Sequence, residues 1–383
     1  MSPQSKSPAR RGRRRATPGP APVYFGSVAV SQPSRAATLP AKLRRILAQF
    51  DLRRLCQGAW VPIKMHLGGG LGYTTIHPLF VRTVADALRE AGGKPFVIEG
   101  GFDSVSDAAQ RGYTAETLGC PIVAAGGPYE RDTVPHKLGY RGLDTISIYS
   151  AIRHAPCLVN FSHVKGHGDC GYGGACKNIA MGCVDAETRA RIHGLEGGID
   201  WLREKCTLCG RCAAACDTKA ITIDRRKQEL SIFFHHCRYC RHCVAACPRG
   251  ALEMSDATGF QYFQEGMARV TKAVLAPFAP ERVLHINLLT NITMFCDCWG
   301  MTTPSLVPDI GVMAAHDMVA LESASLAAIR AENLLPGTLI GKRQLLPGRH
   351  LLEMIHGKDP YIQVRALERH GLGRSAYELI EVH

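Results

Sequence analysis

Long apolar stretches are missing from this sequence. None approaches the roughly 18 residues that a membrane-spanning helix needs. Arg13, Arg14 and Arg15 resemble a twin-arginine start, but no apolar signal-peptide core follows them. We therefore expect a cytoplasmic protein with no membrane partner. In that compartment cysteines more often serve metal or redox chemistry than disulfides.

Motifs of several common enzyme classes are also missing. The order of residues shows no Ser–His–Asp triad, no zinc-protease helix and no paired-carboxylate motif. The glycine-rich loops match neither the dinucleotide fingerprint nor the phosphate-binding P-loop. No motif demands a flavin, which stays an open alternative.

Acidic residues are absent from the first 22 positions, which hold Lys6 and five arginines. This Ser/Pro/Arg-rich stretch has the composition of a disordered tail. A solubilising extension is the simpler interpretation, nonspecific contact with nucleic acid is the alternative, and we expect no specific nucleic-acid partner. The whole chain carries a net charge of +13, which suits an acidic electron donor such as a ferredoxin or flavodoxin.

Cysteine, in contrast, is abundant: the chain has 16, and eight of them lie between Cys206 and Cys247. They form two runs of the pattern C-x2-C-x2-C-x3-C, in CTLCGRCAAACD and CRYCRHCVAACP. In this pattern three thiolates of one run and the fourth of the other bind a cubane cluster. Zinc sites, the alternative, usually show two separated cysteine pairs. The runs resemble two-cluster bacterial ferredoxins, except for Asp217, where those usually have proline. The expected ligands are Cys206, Cys209, Cys212 and Cys247 for the first 4Fe–4S cluster, and Cys237, Cys240, Cys243 and Cys216 for the second.

Strand and helix patterns alternate outside these runs. The apolar stretch WVPIKMHL predicts a strand, LFVRTVADALREA a helix that begins at Pro78 and ends before Gly92, and KPFVIEGG another strand. This alternation predicts an α/β fold with a mostly parallel sheet. We expect that sheet domain to be interrupted by an inserted two-cluster, bacterial ferredoxin-like (α+β) module. The predicted boundaries are 1–22 for the disordered tail, 23–200 and 256–383 for the discontinuous α/β domain, and 201–255 for the module.

Two loops outside the predicted module carry side chains suited to chemistry. The stretch SHVKGHGDCGYGGACKNIAMGC follows a strand, and glycine-rich turns there let backbone amides approach a ligand. The stretch CDCW follows another strand and supplies two thiols. The candidate catalytic residues are His163, His167, Lys165, Cys183, Cys296 and Cys298. The candidate residues for binding a cofactor or substrate are Lys64, His66, Thr74, Gly173, Gly174 and Lys177.

The two thiols of CDCW allow three interpretations. In the first, Cys296 and Cys298 contribute to a third metal site or cluster, completed by Cys183, His163 and His167. Alternatively, they are redox-active thiols, or small buried apolar side chains. Among neighbouring polar residues, Asp317 is expected to cap a helix, and His235 and His236 are expected to be solvated.

The motifs together resemble the family called domain of unknown function 362, in its ferredoxin-containing branch. The matching stretches are IKMHLGGGLGYTTIHP, SHVKGHGDCGYGGACKNIAMGC, the two cysteine runs, CDCWGMTTPSLVPDIGVMAAHD and RALERHGLGRSAYELI. The resemblance covers nearly everything from about residue 23 onward. It implies an iron–sulfur protein whose reaction is generally not established.

These observations predict an iron–sulfur oxidoreductase. Two 4Fe–4S clusters would relay electrons from an external donor to a small-molecule substrate or cofactor in the α/β domain. The alternative is a non-enzymatic, ferredoxin-like electron carrier or assembly partner. Because Arg238, Arg241 and Arg249 flank the second run, we expect the cluster of Cys237, Cys240 and Cys243 to have the higher potential.

Overall fold

An eight-stranded, mostly parallel sheet is the centre of the fold. The computed structural model describes residues 19–254, 259–340 and 345–383. The strands are β1 (Ala21–Ser27), β2 (Trp60–Lys64), β3 (Lys94–Glu99), β4 (Ile122–Ala124), β5 (Thr133–Tyr140), β6 (Leu143–Tyr149), β7 (Leu158–His163), β8 (Lys165–His167), β9 (Gly171–Gly173), β10 (Asp200–Trp201), β11 (Ile221–Asp224), β12 (Glu229–Ile232), β13 (Leu252–Glu253), β14 (Val283–Leu289), β15 (Gly311–Ala315) and β16 (Tyr377–Glu381).

Helices pack on both faces of this sheet, except for two short ones that lie in the segment with the clustered cysteines. The helices are α1 (Leu39–Leu47), α2 (Leu52–Cys56), α3 (Pro78–Glu90), α4 (Phe102–Ser106), α5 (Ala115–Leu118), α6 (Ser150–Arg153), α7 (Ala175–Gly182), α8 (Ala186–His193), α9 (Arg211–Ala214), α10 (His242–Ala245), α11 (Gly259–Leu275), α12 (Met318–Ala328), α13 (Leu351–His356) and α14 (Tyr361–Arg369). Within the described ranges, no helix has the length and apolar character needed to cross a membrane.

The large sheet has the order β16-β1-β15-β14-β7-β2-β3-β4. All neighbouring pairs are parallel except the two that involve β15, which runs antiparallel to both β1 and β14. The predicted α/β class with a mostly parallel sheet is therefore confirmed. Strands that precede and follow residues 201–255 pair side by side in this sheet, as β7 and β14 do.

The core has two layers because side chains alternate across the pleat of each strand. In β15, Val312 and Ala314 face the layer of α1 and α3, whereas Met313 and Ala315 face the layer of α7, α11 and α12. Strands that are buried on both faces read as continuous apolar runs, which is what the sequence shows.

Local capping explains where several helices begin. Pro78 takes the first position of α3 and His77 precedes it as the cap, while the Asp317 carboxylate accepts the Ala320 N–H at the start of α12. The predicted cap role of Asp317 is thus confirmed. The chain between β1 and β2 forms two helices, because Asp51 caps a new turn at Leu52 after α1 ends.

The stretch between β10 and β13 contains the eight clustered cysteines. The chain enters and leaves it side by side, since Asp200 pairs with Glu253 and Trp201 with Leu252 in antiparallel register. Inside lie the β11–β12 hairpin and the short helices α9 and α10. The predicted boundaries at 200 and 256 remain a prediction. The predicted tail lies outside the described residues up to residue 18, and Ala21 already belongs to β1.

Candidate functional site

A cavity of about 770 Å³ lies at the carboxyl edge of the parallel strands. Lys64, Glu99 and His163 line it, and each is the last residue of its strand, β2, β3 and β7. β3 and β4 follow β2 on one side, whereas β7 and β14 lie on the other, so the strand order reverses between β2 and β7. Open α/β sheets bind their ligands at this switch point, and the cavity therefore stands where the topology predicts a site.

The first charged group of the cavity consists of Lys64, Glu99 and His66. Glu99 Oε1 lies 3.2 Å from Lys64 Nζ, and Oε2 lies 3.0 Å from His66 Nδ1. Burial acts to raise the pKa of Glu99, but Lys64 and His66 outweigh it and hold that pKa below its usual range. The Lys64 side chain fits here because Gly182 has no side chain, and a Cβ at that position would lie 2.2 Å from Lys64 Cε. The wall thus contains an ionised carboxylate that is neutralised by its neighbours.

The second group joins His163, Lys165 and Asp297. Asp297 Oδ2 lies 2.8 Å from His163 Nδ1, and Oδ1 lies 3.4 Å from Lys165 Nζ. Burial opposes ionisation, but His163 and Lys165 hold the pKa of Asp297 below its usual range. Burial also lowers the pKa of Lys165. Sequence reasoning assigned no role to Asp297, although its place between two predicted site cysteines was a usable signal.

Cys296 and Cys298 meet this group at the cavity and are joined by a disulfide. Cys296 is buried and Cys298 is exposed. A ring nitrogen of His167 and both sulfurs lie within 4.8 Å of one another, so these three residues have a spacing that a metal ion could bridge once the thiols are reduced. The expected strand does not reach Cys296, because β14 ends at Leu289 and Asp297–Trp299 form a 3-10 turn.

Two of the predicted site residues do not line the cavity. Cys183 lies fully buried among apolar side chains, where burial raises its pKa to about 12. The structure therefore does not bring Cys183 to the cavity that His163 and His167 line. Thr74 acts indirectly: its carbonyl and hydroxyl oxygens each accept a hydrogen bond of 3.2 Å from Lys165 Nζ.

A third group surrounds Asp169 and was not found from the sequence. His235 Nδ1 donates to Asp169 Oδ2 at 2.7 Å, and His193 Nδ1 lies 3.7 Å from the same oxygen. Glu196 lies beside His193, and all four residues line the cavity. The expectation that His235 is solvated was wrong, because it is 8% exposed and packs against Gly168, where a Cβ would approach its ring to 2.4 Å.

Lys177 lies in the first turn of α7, and Gly173 and Gly174 directly precede that helix. Lys177 lines the cavity, and its side chain makes no hydrogen bond or ion pair with any residue that the structure describes. Burial lowers its pKa. Gly173 and Gly174 line the cavity beside it, and a Cβ on Gly174 would lie 2.4 Å from the Tyr172 hydroxyl. An unpaired ammonium at a helix N-terminus favours an anionic ligand.

The structure sorts the eight clustered cysteines into two sets of four, each around its own small cavity. Backbone N–H groups point at sulfur in both sets: Ala220 N donates to Cys216 Sγ at 3.2 Å and Ala251 N to Cys247 Sγ at 3.2 Å. The first quartet is Cys206, Cys209, Cys212 and Cys247, and the second quartet is Cys216, Cys237, Cys240 and Cys243.

The backbone of the two cysteine runs also repeats. Positive φ angles occur at equivalent positions of both runs, at Leu208 (51°) and Tyr239 (58°), Gly210 (85°) and Arg241 (65°), and Lys219 (54°) and Gly250 (56°). Left-handed residues are uncommon outside glycine. Their recurrence shows that both runs adopt the same loop, which arranges their cysteines alike.

The second quartet adjoins the large cavity through a short piece of chain. His235 lines the cavity, and Cys237, two positions later, lines the second quartet's cavity. Lys358 is 3% exposed, and its Nζ donates to the carbonyl oxygens of Gly168, Phe234 and Cys237. These three hydrogen bonds, the Lys358 clamp, tie the segment that leads into the second quartet to the loop between β8 and β9. Successive Cα atoms are about 3.8 Å apart, so His235 and Cys237 lie within about 8 Å.

Aromatic rings fill the space between this segment and the Cys296–Cys298 disulfide. The Trp299 ring lies 4.7 Å from His235 and 5.1 Å from His236 between ring centroids. Phe233 and Phe295 pack on the same tryptophan at 5.9 Å and 5.2 Å. His236 is half-buried and stacks on Trp299, so it is solvated on one side only.

Comparison with known proteins identifies a family. The family described as "Domain of unknown function (DUF362)" matches residues 61–327, which confirms the family expected from the motifs. Among curated proteins, none matches this sequence significantly. Among solved structures, the lactate racemase apoprotein from Thermoanaerobacterium thermosaccharolyticum is similar at 11% sequence identity with a TM-score of 0.31. That alignment covers 70% of this chain and 51% of the other, so this chain spans about half of that protein, and similarity at this level supports no functional inference.

Proposed function

The chain belongs to the DUF362 family, and from its site we propose that it is an iron–sulfur oxidoreductase. Two 4Fe–4S clusters relay electrons from an external donor to a substrate or cofactor held in the large cavity. The observation that carries this proposal is the adjacency of the second quartet to that cavity, through His235 and Cys237 and the Lys358 clamp.

The residues of both quartets fit the proposed clusters. Each set offers four thiols to a single cavity, which is the number a cubane takes, and the crossing of the fourth cysteine matches two-cluster ferredoxins. Hydrogen bonds from Ala220 and Ala251 to sulfur would stabilise thiolate ligands. When bound, the clusters supply single electrons at potentials set by nearby charges and hydrogen bonds.

Residues of the cavity then receive electrons and hold the substrate. The Cys296–Cys298 disulfide is the first acceptor in this proposal, since two electrons and two protons convert it to two thiols. Lys177 offers its unpaired ammonium to an anionic group, such as a carboxylate or phosphate. A cavity of about 770 Å³ suits a small metabolite or cofactor.

The donor side is proposed at the first quartet. Cys209 is exposed, and the basic residues Arg203, Arg211 and Arg249 are exposed near it. Arg249 lines the first quartet's cavity, although the sequence had suggested that it belongs with the second. A basic surface around an exposed ligand suits docking of an acidic ferredoxin or flavodoxin.

Anaerobic purification with iron and acid-labile sulfide analysis tests this proposal. Two cubanes predict about eight irons per chain in the wild type, and about four after either Cys209→Ser or Cys240→Ser. Zinc in place of iron, or iron content unchanged by both substitutions, would contradict it. A Cys157→Ser variant is the matched control, because Cys157 is buried far from both quartets in the layer of α1 and α3.

The exposed first quartet also suits a second function, a non-enzymatic electron carrier or assembly partner. The enzyme proposal predicts that the double substitution of Cys296 and Cys298 by alanine abolishes turnover while both clusters remain. The carrier proposal predicts unchanged electron exchange with a partner in that variant, and no small molecule retained in the cavity.

A further inference from the structure

Asp169, His193 and Glu196 form a cluster of ligand-type side chains apart from both cysteine quartets. One ligand atom from each lies within 4.8 Å of the others. His193 is the last residue of α8 and Glu196 follows in the next turn, so both face the loop between β8 and β9 that carries Asp169. Ligands around one ion stand at such separations, since each bond is about 2.0–2.2 Å long.

A second observation concerns the unpaired oxygen of Asp169. This side chain is 0% exposed, and its Oδ1 is a buried atom without a hydrogen-bond partner among the described residues. Oδ2 is already held, because His235 Nδ1 donates to it at 2.7 Å. Buried carboxylate oxygens are almost always satisfied by donors or by a metal. A cation bound at this cluster would be the partner that Oδ1 lacks.

The surroundings of the cluster resemble the outer shell of a metal site. Metal ligands are usually oriented by further hydrogen bonds and packing. His235 fixes the Asp169 carboxylate, and Trp299 Nε1 in turn donates to His235 Nε2. The ring of His193 stacks on Phe263 at 5.4 Å, which limits its rotation.

From this geometry we infer that Asp169, His193 and Glu196 bind a divalent transition-metal ion that faces the large cavity. Two carboxylates and one imidazole suit Mn²⁺, Fe²⁺, Co²⁺ or Zn²⁺, whereas Mg²⁺ and Ca²⁺ prefer oxygen ligands alone. Three protein ligands leave coordination positions open to a substrate, as in catalytic sites. The inference does not depend on the proposed iron–sulfur clusters, since it involves no cysteine.

Calorimetric titration of the anaerobically purified full-length protein with Co²⁺ tests this inference. We expect one equivalent to bind, and a large excess of Mg²⁺ not to displace it. His193→Asn and Glu196→Gln should each weaken binding at least about tenfold. His193 tolerates replacement because its side chain is 45% exposed, and thermal melting verifies folding.

The matched control is His370→Asn. His370 Nε2 lies 2.6 Å from Glu265 Oε1 and forms a histidine–carboxylate pair outside the inferred metal site. This variant should bind Co²⁺ as the wild type does. The inference is overturned if the wild type does not take up Co²⁺ stoichiometrically. That result is expected if the carboxylates of Asp169 and Glu196 share a proton instead of binding a metal ion. Equal affinities of the His193 and His370 variants would overturn it too.

Iron and sulfide measured in the same samples separate this result from the proposed function. Binding that depends on His193 in a protein without clusters upholds the metal site and refutes the iron–sulfur proposal. A protein that contains two clusters but takes up no Co²⁺ upholds the iron–sulfur proposal and refutes the metal site.

Discussion

Replacing Lys358 by methionine should lower the reduction potential of the second cluster. Lys358 is buried, and its Nζ lies 2.5 Å from the carbonyl oxygen of Cys237. The ammonium and the Cys237 sulfur affect each other's ionisation: burial raises the pKa of Cys237, and Lys358 opposes that rise. Reduction adds negative charge to a cluster, so a buried cation nearby favours the reduced form. Methionine is an unbranched side chain that replaces the first four atoms of lysine and removes the charged Nζ.

The size of the effect follows from distance and burial. The contact with Cys237 places the ammonium roughly 8 Å from the centre of a cluster bound there. A unit charge at that distance contributes about 2 kcal/mol at an effective dielectric constant of about 20. For a one-electron couple this corresponds to about 90 mV. An exposed arginine at the same distance acts through water, where the value falls to about 20 mV before salt screening.

An anaerobic redox titration followed by electron paramagnetic resonance measures this shift. Arg241→Met is the matched control, because Arg241 is exposed and lines the same quartet's cavity. We expect a drop of about 90 mV for Lys358→Met and at most about 20 mV for the control. Equal shifts in the two variants, or a rise for Lys358→Met, would show that the buried ammonium of Lys358 does not set the potential of the second cluster. Iron content measured alongside shows whether the cluster survives the loss of three hydrogen bonds.

Two further predictions concern stability. Glu99→Gln should cost about 3–5 kcal/mol, because it leaves the buried Lys64 ammonium without its carboxylate, and adding Lys64→Met should restore part of the loss. Because the pKa of Glu99 is lowered in the folded protein, its contribution to the free energy of unfolding is complete above the unfolded pKa of about 4.3. This contribution is lost as the pH falls toward the folded pKa. The double variant lacks Glu99, so its stability should depend less on pH in acid. Gly168→Ala should cost about 1–3 kcal/mol, because the added Cβ would approach the His235 carbonyl oxygen to 2.3 Å.

Chemical denaturation at a series of pH values measures both predictions. Gly127→Ala is a control for the second, because it also adds a Cβ but meets no atom within 4 Å there, although its φ of 66° adds backbone strain of its own. The first prediction fails if Glu99→Gln unfolds at the wild-type denaturant concentration. The second fails if Gly168→Ala is no less stable than the control.

The sequence predicted the elements that depend on local patterns. Runs that are apolar on both faces identified β2, β3 and β7, and their last residues gave Lys64 and His163 as candidates. Repeated cysteine spacing predicted two quartets, and the fold brings the same two sets of four together. Local spacing brings together the first three cysteines of each run, and the repeat of the pattern indicated that the fourth cysteine of each run completes the other quartet.

The remaining site residues depend on contacts that no local pattern records. Asp169, His193 and His235 come from three separate segments, and they meet only because the β8–β9 loop, the end of α8 and the second cysteine run converge. Lys358 resembles any surface lysine in sequence, yet it is buried on three carbonyl groups. Cys183 shows the opposite case. It is close in sequence to residues that line the cavity, yet its own side chain lies in the core.

Electron flow from the second quartet to the cavity can be followed at the Cys296–Cys298 disulfide. New thiols are alkylated after anaerobic photoreduction of the protein with a one-electron donor, and mass spectrometry identifies the labelled residues. If the second cluster delivers the electrons, Cys296 and Cys298 are labelled rapidly in the wild type and at least about tenfold more slowly in Cys240→Ser, which loses the second cluster. Labelling at the same rate in both proteins would show that electrons do not reach the cavity through the second quartet.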